Sequence, residues 1–258
     1  MPYDYHYGRF NDIDFTLKLI EHHASELAVI MVEPVMGTGG ALPATPEFLR
    51  VLRNAADQYG IVLLFDEVMT SRVSAGGAQA HYGVTPDMTA FGKYIGGGLT
   101  FGVFGGRADI MDLYDPRRPD ALPHAGTFNN NVLTMAACVT AMGELYTADV
   151  ADTHNRTGEA FKGRLNALAA AREFPATITG IDTLLCMHFV RGPLTTPAQA
   201  ATANPDAIAL FHLHMLDCGY YTSKSGLMSL SLPLAPADYE GFERAFATFM
   251  ETFAAQIQ

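Results

Sequence analysis

The stretch Ile61-Val-Leu-Leu-Phe65, followed at once by Asp66, decides the fold. A short continuous apolar run of this kind predicts a strand covered on both faces, as in a parallel sheet. Leu27-Ala-Val-Ile-Met-Val32 has the same character, and between the two runs Thr45 precedes Pro46 in the pattern of a helix N-cap. This order of strand, helix and strand with short connections predicts a doubly wound α/β sheet.

The rest of the chain supplies further predicted elements, and its character changes near residue 148. Residues 1–148 are expected to form the α/β domain and residues 149–258 a smaller α+β domain. Helices are predicted over Leu17–Glu26, Thr45–Tyr59 with a stop at Gly60, Asn130–Leu145, Asn155–Arg172, and from Pro236 to the end of the chain. Further strands are predicted over Thr89–Phe91, Phe101–Gly105, Leu184–Val190 and Leu227–Leu232, and a loop over Glu33–Gly40.

Composition narrows the class of function. The chain has 258 residues, of which 49% are hydrophobic and 17% charged, which is typical of a globular protein. Its net charge of −11 argues against nucleic acid or an anionic membrane as a partner, and no stretch has the length of a membrane span. Cys138, Cys186 and Cys218 show neither metal-ligand nor disulfide spacing, and residues 1–15 lack signal-peptide features, so we expect a reducing, cytoplasmic setting.

Asp66 is the first candidate site residue, because it directly follows a predicted buried strand. Ligands of open α/β sheets bind at the carboxyl ends of strands. A carboxylate there has two interpretations. It can be a helix cap or structural hydrogen-bond acceptor, or it can pair with a cationic ligand group such as a protonated pyridine nitrogen.

Lys93 lies in Phe91-Gly-Lys-Tyr-Ile-Gly-Gly-Gly98. Most lysines are solvated surface charges, but this one follows an apolar stretch and has no charged neighbours in sequence. In a desolvated pocket its amine would become a nucleophile toward an aldehyde, and the glycines would let the backbone approach a bulky ligand. The glycine pattern matches neither a P-loop nor a dinucleotide-binding fingerprint, which argues against an unrelated nucleotide-binding module.

A third candidate is Gly126-Thr-Phe-Asn-Asn-Asn131, which is predicted to open a helix. Backbone N–H groups and a hydroxyl at a helix N-terminus can bind an anion. The alternative is a simple N-cap made by Thr127 or by an asparagine.

Taken together and in this order, Asp66-Glu-Val68, Gly92-Lys93 and Gly126-Thr127 resemble class III (fold type I) pyridoxal-phosphate aminotransferases. The separation of 93 − 66 = 27 residues between the aspartate and the lysine is typical of that family. The resemblance runs from about residue 10 to the end. It is greatest to β-phenylalanine-type aminotransferases, with glutamate-1-semialdehyde aminomutases as relatives; aminomutases usually carry a proline where Val132 stands.

The resemblance implies a role for each matching residue. Asp66 would pair with the pyridine nitrogen of pyridoxal phosphate, and Val68 would pack against its ring. Lys93 would hold the cofactor as a Schiff base and then move a proton. Thr127 would bind the cofactor phosphate of the neighbouring subunit, which implies a homodimer. The reaction would be ping-pong, from a small-molecule amino donor to an oxo acceptor.

The sequence also departs from the family. Met69 stands where many class III enzymes have a glutamine that contacts the cofactor, and Ser225 stands where β-phenylalanine-type enzymes have an arginine for the substrate carboxylate. Lys224 could replace that arginine as a point charge, without its bidentate geometry. The family's N-terminal half, with its phosphate loop and stacking aromatic residue, has no counterpart. The chain would therefore be a fragment, a truncated product or half of a split enzyme.

Three alternatives to transamination stay open at this point. The chain could be an aminomutase-like isomerase, or a non-catalytic remnant of the family that binds the cofactor weakly or not at all. Metal-dependent hydrolysis is the third. His22-His23 and the pair His212 and His214 have no carboxylate or cysteine at metal-ligand spacing, so the sequence predicts no metal site.

Overall fold

The structure is a computed structural model that describes residues 3–257. Its strands within that range are β1 (Val29–Val32), β2 (Val35–Met36), β3 (Leu42–Pro43), β4 (Val62–Asp66), β5 (Met88–Gly92), β6 (Gly102–Gly106), β7 (Thr177–Ile181), β8 (Leu184–His188) and β9 (Leu227–Ser229). Its α-helices are α1 (Ile13–His23), α2 (Pro46–Tyr59), α3 (Gly77–Tyr82), α4 (Ala108–Met111), α5 (Val132–Thr140), α6 (Ala148–Ala171), α7 (Pro197–Ala200), α8 (Pro205–Asp217) and α9 (Pro236–Ile257).

The chain divides into two compact units. Of the described residues, 3–34 and 45–151 form the first unit, and 35–44 together with 152–257 form the second. The chain thus passes from the first unit into the second at residue 35 and returns to the first unit at residue 45. None of the helices within the described residues is both long and apolar enough to cross a membrane.

The first unit is built on a four-stranded sheet in the order β1-β4-β5-β6. The pairs β1–β4 and β4–β5 are parallel, whereas β6 runs antiparallel to β5. Helix α2 makes the crossover between the first two strands and begins and ends as predicted. The Thr45 side chain accepts a hydrogen bond from Phe48 N, and Gly60 ends the helix in the left-handed region with φ 68°.

Strand β1 departs from the prediction of a strand covered on both faces. Val29 is 45% exposed and Met31 is 64% exposed, whereas Leu63 and Phe65 of β4 are fully buried. β1 is an outer strand of this sheet, no strand within residues 3–257 pairs with its outer edge, and the face that carries Val29 and Met31 is incompletely covered there. An apolar edge strand with an exposed face is a surface that natural proteins normally cover.

The second unit packs helices against a three-stranded antiparallel sheet in the order β7-β8-β9. Its core is a cluster of buried aromatic rings from α6, α8 and α9, among them Phe161, Phe211 and Phe249. The segment 35–44 forms the β2–β3 ribbon, and β2 falls within the stretch Glu33–Gly40 that was predicted as a loop. Thr179 donates a hydrogen bond to the Gly40 carbonyl at 2.6 Å, and His188 Nε2 lies 3.0 Å from the same oxygen.

Several element boundaries differ from the prediction. Helix α1 begins at Ile13, because Asp12 caps it and accepts a hydrogen bond from Phe15 N, and α6 begins at Ala148 instead of Asn155. Helix α5 continues into a π-helical turn over Ala141–Leu145. Strand β7 and helix α8 were not predicted, and the predicted last residue of α9 lies outside the described residues.

Candidate active site

Two parallel strands end side by side at the candidate site. Asp66 is the last residue of β4 and aligns with Ala90 of β5, and β5 itself ends at Gly92, directly before Lys93. Because β4 and β5 are parallel, both residues leave the sheet at its carboxyl edge. The sequence predicted this position for Asp66 alone, and the structure adds Lys93 at the same edge, where open α/β sheets bind ligands.

Asp66 is half-buried, and one of its oxygens serves the local turn. Its Oδ1 accepts a hydrogen bond from Val68 N at 3.0 Å, which matches the structural interpretation of this carboxylate. Within the described residues no ion pair joins Asp66 to a basic side chain. The carboxylate is thus oriented by its own backbone and can still face a cation.

Lys93 has an unusual backbone conformation. Its φ is +53°, in the left-handed region, where a residue with a Cβ atom costs about 1–2 kcal/mol. It opens a short 3₁₀ helix over Lys93–Gly96. Residues held in such conformations concentrate at functional sites, and nothing in the sequence around Lys93 indicates this one.

The desolvated pocket expected around Lys93 is not formed by residues 3–257. The lysine is exposed, so its surroundings within residues 3–257 do not exclude water from the amine. The prediction assumed that an apolar sequence neighbourhood implies burial. The residues that follow, Gly97 to Thr100, are themselves exposed.

Val68 and Met69 lie in the turn that follows β4. A Cβ atom placed on Gly92 would lie 3.5 Å from Val68 Cγ1 and 3.2 Å from the Phe101 carbonyl oxygen, so Val68 lies against the residue that precedes Lys93. Met69 is half-buried and stands directly before the 3₁₀ helix Thr70–Val73. Val68 therefore lies beside the strand end that precedes the lysine.

The glycines of the triplet were expected to let the backbone approach a ligand. At two of the three positions they instead allow close packing within the protein. A Cβ atom on Gly96 would lie 2.5 Å from Phe101 Cβ, and one on Gly97 would lie 2.6 Å from the Ala137 carbonyl oxygen. These glycines allow close packing within the chain, at Gly97 against helix α5. Of the three glycines, only Gly98 has open space around it: a Cβ atom placed there would have no described atom within 4 Å apart from its chain neighbours.

Glu67 is a residue of this region that the sequence reasoning did not identify. It is fully buried, and its carboxylate accepts hydrogen bonds from Ala78 N at 2.6 Å and Gln79 N at 3.0 Å, at the start of α3. Burial raises the pKa of Glu67 above its ordinary value of 4.5, and the hydrogen bonds oppose this without cancelling it. Glu67 fixes the loop after Asp66, and a capping residue this far from its helix has no local sequence signal.

Asp87 is a second such residue, and it anchors the start of β5. This buried carboxylate accepts a hydrogen bond from Leu63 N at 2.7 Å and pairs with Arg53 at 3.0 Å and Arg107 at 2.9 Å. Burial alone would raise the pKa of Asp87, but the bonds from Leu63, Arg107 and Arg53 outweigh it and hold the pKa below 3.8. Asp87 thereby fixes the strand that ends at Gly92, directly before Lys93.

Thr127 does not open a helix. It is exposed and lies in a turn over residues 127–130, whereas α5 begins at Val132. The N-cap is Asn131, whose side chain accepts hydrogen bonds from Leu133 N and Thr134 N. Of the two interpretations of this motif, the asparagine cap is the one present, and no hydrogen bond within residues 3–257 joins Thr127 to Asp66 or Lys93.

Lys224 and Ser225 belong to the second unit, in a turn before β9. Both are exposed. The Ser225 hydroxyl lies 2.9 Å from the Ser223 hydroxyl, and Ser223 Oγ also accepts a hydrogen bond from Ser225 N at 3.3 Å. Within the described residues Lys224 has no ion-pair partner, so its charge is available to a ligand.

A mostly parallel α/β sheet that presents a carboxylate and a lysine at one carboxyl edge defines the class of protein as an α/β protein with a candidate ligand site at that edge. A family model described as aminotransferase class-III matches residues 11–219. The chain belongs to the class-III aminotransferase family. The predicted family and its α/β fold are therefore confirmed.

Curated relatives are longer than this chain. It is 42% identical over 250 residues to β-phenylalanine transaminase of Variovorax paradoxus, which covers 97% of this chain and 57% of that protein. It is 37% identical over 227 residues to a glutamate-1-semialdehyde 2,1-aminomutase of Thermodesulfovibrio yellowstonii, covering 86% of this chain and 53% of the relative. The chain thus spans little more than half the length of these relatives.

Solved structures of transaminases are also similar to this chain, and the chain again covers only part of each. A β-phenylalanine aminotransferase from Variovorax paradoxus superposes with a TM-score of 0.97 at 42% identity, covering 100% of this chain and 60% of that one. An omega-transaminase from Sphaerobacter thermophilus superposes with a TM-score of 0.89 at 37% identity, covering 94% and 56%. A structure described as a transaminase with PLP bound has a TM-score of 0.86 at 28% identity, covering 96% and 57%.

Proposed function

We propose that this chain is the C-terminal part of a pyridoxal-phosphate-dependent aminotransferase that moves the amino group of a β-amino acid to an oxo acid. The observation that carries the proposal is Lys93, held at φ +53° at the end of β5, beside the β4 strand end that carries Asp66. The 42% identity to a β-phenylalanine transaminase supports the substrate class. The amine of Lys93 can bind the aldehyde of pyridoxal phosphate, and the carboxylate of Asp66 can pair with its protonated ring nitrogen.

The residues present fit pyridoxal phosphate. The Asp66 carboxylate is oriented by Val68 N at 3.0 Å and has no basic partner within residues 3–257, so it can hold the proton on a pyridine nitrogen. The Lys93 amine is exposed and can reach an aldehyde. When bound, the cofactor supplies an aldehyde that accepts the amino group and a ring that withdraws electrons.

Each residue has a definite task in this proposal. Lys93 would hold the cofactor through Nζ and would move a proton at that same atom during the transfer. Asp66 keeps the ring nitrogen protonated, Val68 packs against the ring, and Met69 lines the same turn. Thr127 binds the phosphate of a neighbouring subunit in a homodimer; its exposure supports this role.

The domain roles follow from the same proposal. Residues 1–148 are the C-terminal part of the cofactor-binding domain, and residues 149–258 form the smaller C-terminal domain. Lys224 supplies a point charge for the substrate carboxylate next to Ser225, since both are exposed on one turn. The cytoplasmic setting remains a prediction from the cysteine pattern.

We further propose that polypeptide equivalent to the rest of the relatives completes the site. Two observations support this: the chain spans 57% of β-phenylalanine transaminase, and the outer strand β1 exposes Val29 and Met31. The exposure of Lys93 is consistent with a pocket whose other wall is supplied by that polypeptide. Whether the same chain or a second one carries it is open to experiment.

The test is cofactor retention. The purified chain is incubated with pyridoxal phosphate, dialysed, and its visible absorbance recorded beside Lys93→Ala and the matched control Lys18→Ala, which removes an exposed lysine of α1. We expect a band in the wild type and in Lys18→Ala but none in Lys93→Ala. Borohydride reduction and peptide mass mapping should then locate the cofactor on Lys93. Retention by Lys93→Ala, or an adduct elsewhere, would refute the proposal.

The aminomutase and remnant alternatives give different results in the same experiment. A chain that retains the cofactor is assayed with β-phenylalanine and an oxo acid, and separately with glutamate-1-semialdehyde. Transfer in the first assay supports the proposal, and isomerisation in the second supports the aminomutase. A chain that retains no cofactor, even with the relatives' N-terminal part added in trans, is a non-catalytic remnant.

A further inference from the structure

The segment before α1 lies along that helix. Arg9 N donates a hydrogen bond to Thr16 Oγ1 at 3.0 Å, and Thr16 Oγ1 donates one to the Arg9 carbonyl at 2.9 Å. From Thr16 to His23 is 23 − 16 = 7 residues, or about 10 Å of helix. From Arg9 back to His6 is 9 − 6 = 3 residues, which cover about 10 Å when extended. This register brings His6 to the end of α1.

Three metal-ligand side chains meet there. Ligand atoms of His6, His23 and Glu26 all lie within 4.8 Å of one another. The rings of His6 and His23 stack with centroids 3.6 Å apart, and Glu26 N donates a hydrogen bond to the His23 carbonyl at 2.9 Å. His6 and Glu26 are exposed and His23 is half-buried, so an ion from solvent can reach all three.

We propose that His6, His23 and Glu26 form a zinc site unrelated to the transferase site. Two imidazoles and a carboxylate are a ligand set that Zn²⁺ accepts, with a fourth position left for water. Zinc–ligand distances of about 2.0–2.2 Å put tetrahedral ligand atoms about 3.3–3.6 Å apart. The ligand atoms must therefore approach from separations of up to 4.8 Å, which rotation of side chains with exposed ends permits.

The structure corrects the sequence argument against these histidines. That argument held that His22-His23 lacks a supporting carboxylate, yet Glu26 lies in the turn directly after α1, and the tertiary register adds His6. His22 is not a member of the cluster, although its ring contacts that of His23 with centroids 4.7 Å apart. Within residues 3–257 no other group of histidine, cysteine and acidic side chains reaches this proximity.

Zinc would also tie the segment before α1 to the end of that helix. Hydrogen bonds between Arg9 and Thr16 hold the segment against α1. A metal bridge at His6 would add a second anchor some distance from the first. Slower amide exchange in the segment on zinc addition is therefore expected.

The test uses the untagged chain and isothermal titration with Zn²⁺, with Mg²⁺ as the comparison ion, since Mg²⁺ prefers oxygen ligands. We expect one Zn²⁺ per chain. His6→Ala and His23→Ala should each weaken the affinity by at least about tenfold, whereas the adjacent control His22→Ala should leave it unchanged. Circular dichroism spectra confirm that each variant is folded.

Amide hydrogen exchange over residues 5–9 is the second measurement. Zinc should slow exchange there in the wild type and in His22→Ala, and have no effect in His23→Ala. The proposal is overturned if the wild type takes up no zinc, if Mg²⁺ binds equally well, or if His23→Ala keeps the wild-type affinity.

Discussion

Replacing Asp87 by asparagine should destabilise the first unit by about 2 kcal/mol. The Asp87 carboxylate accepts from Leu63 N and Arg53 on Oδ2, and from Arg107 on Oδ1 at 2.9 Å. All three partners donate, so the amide nitrogen of asparagine must face one of them. The least costly placement puts it opposite Arg107, whose side chain is 53% exposed, and keeps the bonds to Leu63 and Arg53.

The magnitude follows from what that placement removes. A hydrogen bond to a charged group contributes about 1.5–3 kcal/mol, and the exposure of Arg107 argues for the lower half of that range. Asp87→Ala also leaves Leu63 N without its acceptor in the core, so it should cost about 3–5 kcal/mol. For a chain of this size about 2–4 °C of melting temperature corresponds to 1 kcal/mol.

The assay is urea denaturation followed by circular dichroism, with Asp57→Asn as the matched control. Asp57 pairs with the same Arg53 at 2.7 Å but is 65% exposed, so its loss should cost less than about 1 kcal/mol. Because the pKa of Asp87 is lowered below 3.8, its contribution is fully present above that pH and is lost as the pH falls through the folded-state value. Equal losses for Asp87→Asn and Asp57→Asn at neutral pH would refute the reasoning.

Three further predictions concern backbone strain and buried charge. Lys93→Gly should be more stable than Lys93→Ala by about 1 kcal/mol in thermal melts, because only glycine relieves the φ of +53°. Gly77→Ala should cost at least about 1 kcal/mol in the same assay and more than Gly83→Ala; both have positive φ, but only a Cβ at Gly77 would meet Glu67, at 2.5 Å. Burial lowers the pKa of His188 below 6.5, so its contribution to stability should be present above pH 6.5 and be lost as the pH falls below it. His188→Gln should reduce that pH dependence in urea titrations.

Elements with strong local signals could be predicted from the sequence. The crossover helix α2 carries its cap at Thr45, its proline at the first turn and its stop at Gly60 within the sequence itself, and β4 is an uninterrupted apolar run. Helix α8 was missed although Asn204 caps it and Pro205 opens it. Its apolar residues extend around the helix, so it has no clear amphipathic period for sequence reasoning to detect.

For the candidate site, the sequence predicted Asp66 at a strand end and Lys93 after an apolar stretch, but it did not predict that the two share a sheet edge. Asp66 and Lys93 each follow an apolar strand, and the parallel order of those strands brings them together. The residues that hold this edge in place could not be found in the same way. Glu67 acts on a helix that begins ten residues later, and Asp87 reaches Arg53 and Arg107 at separations of 34 and 20 residues. Partners this far apart in sequence are brought together only by the tertiary structure, so no local sequence pattern indicates them.

Burial was the least predictable property, and its failures have one physical cause. Apolar β1 exposes Met31, and Lys93 is exposed although its sequence neighbourhood is apolar. An apolar stretch of sequence predicts that its side chains are buried in the functional protein. The exposure of a side chain in the structure depends on which neighbouring residues cover it. Where the two disagree, the sequence indicates a surface that a further partner covers. Both disagreements occur in the unit that carries the candidate site, so cofactor retention and coverage of β1 should be measured on the same preparation, with and without the relatives' N-terminal part.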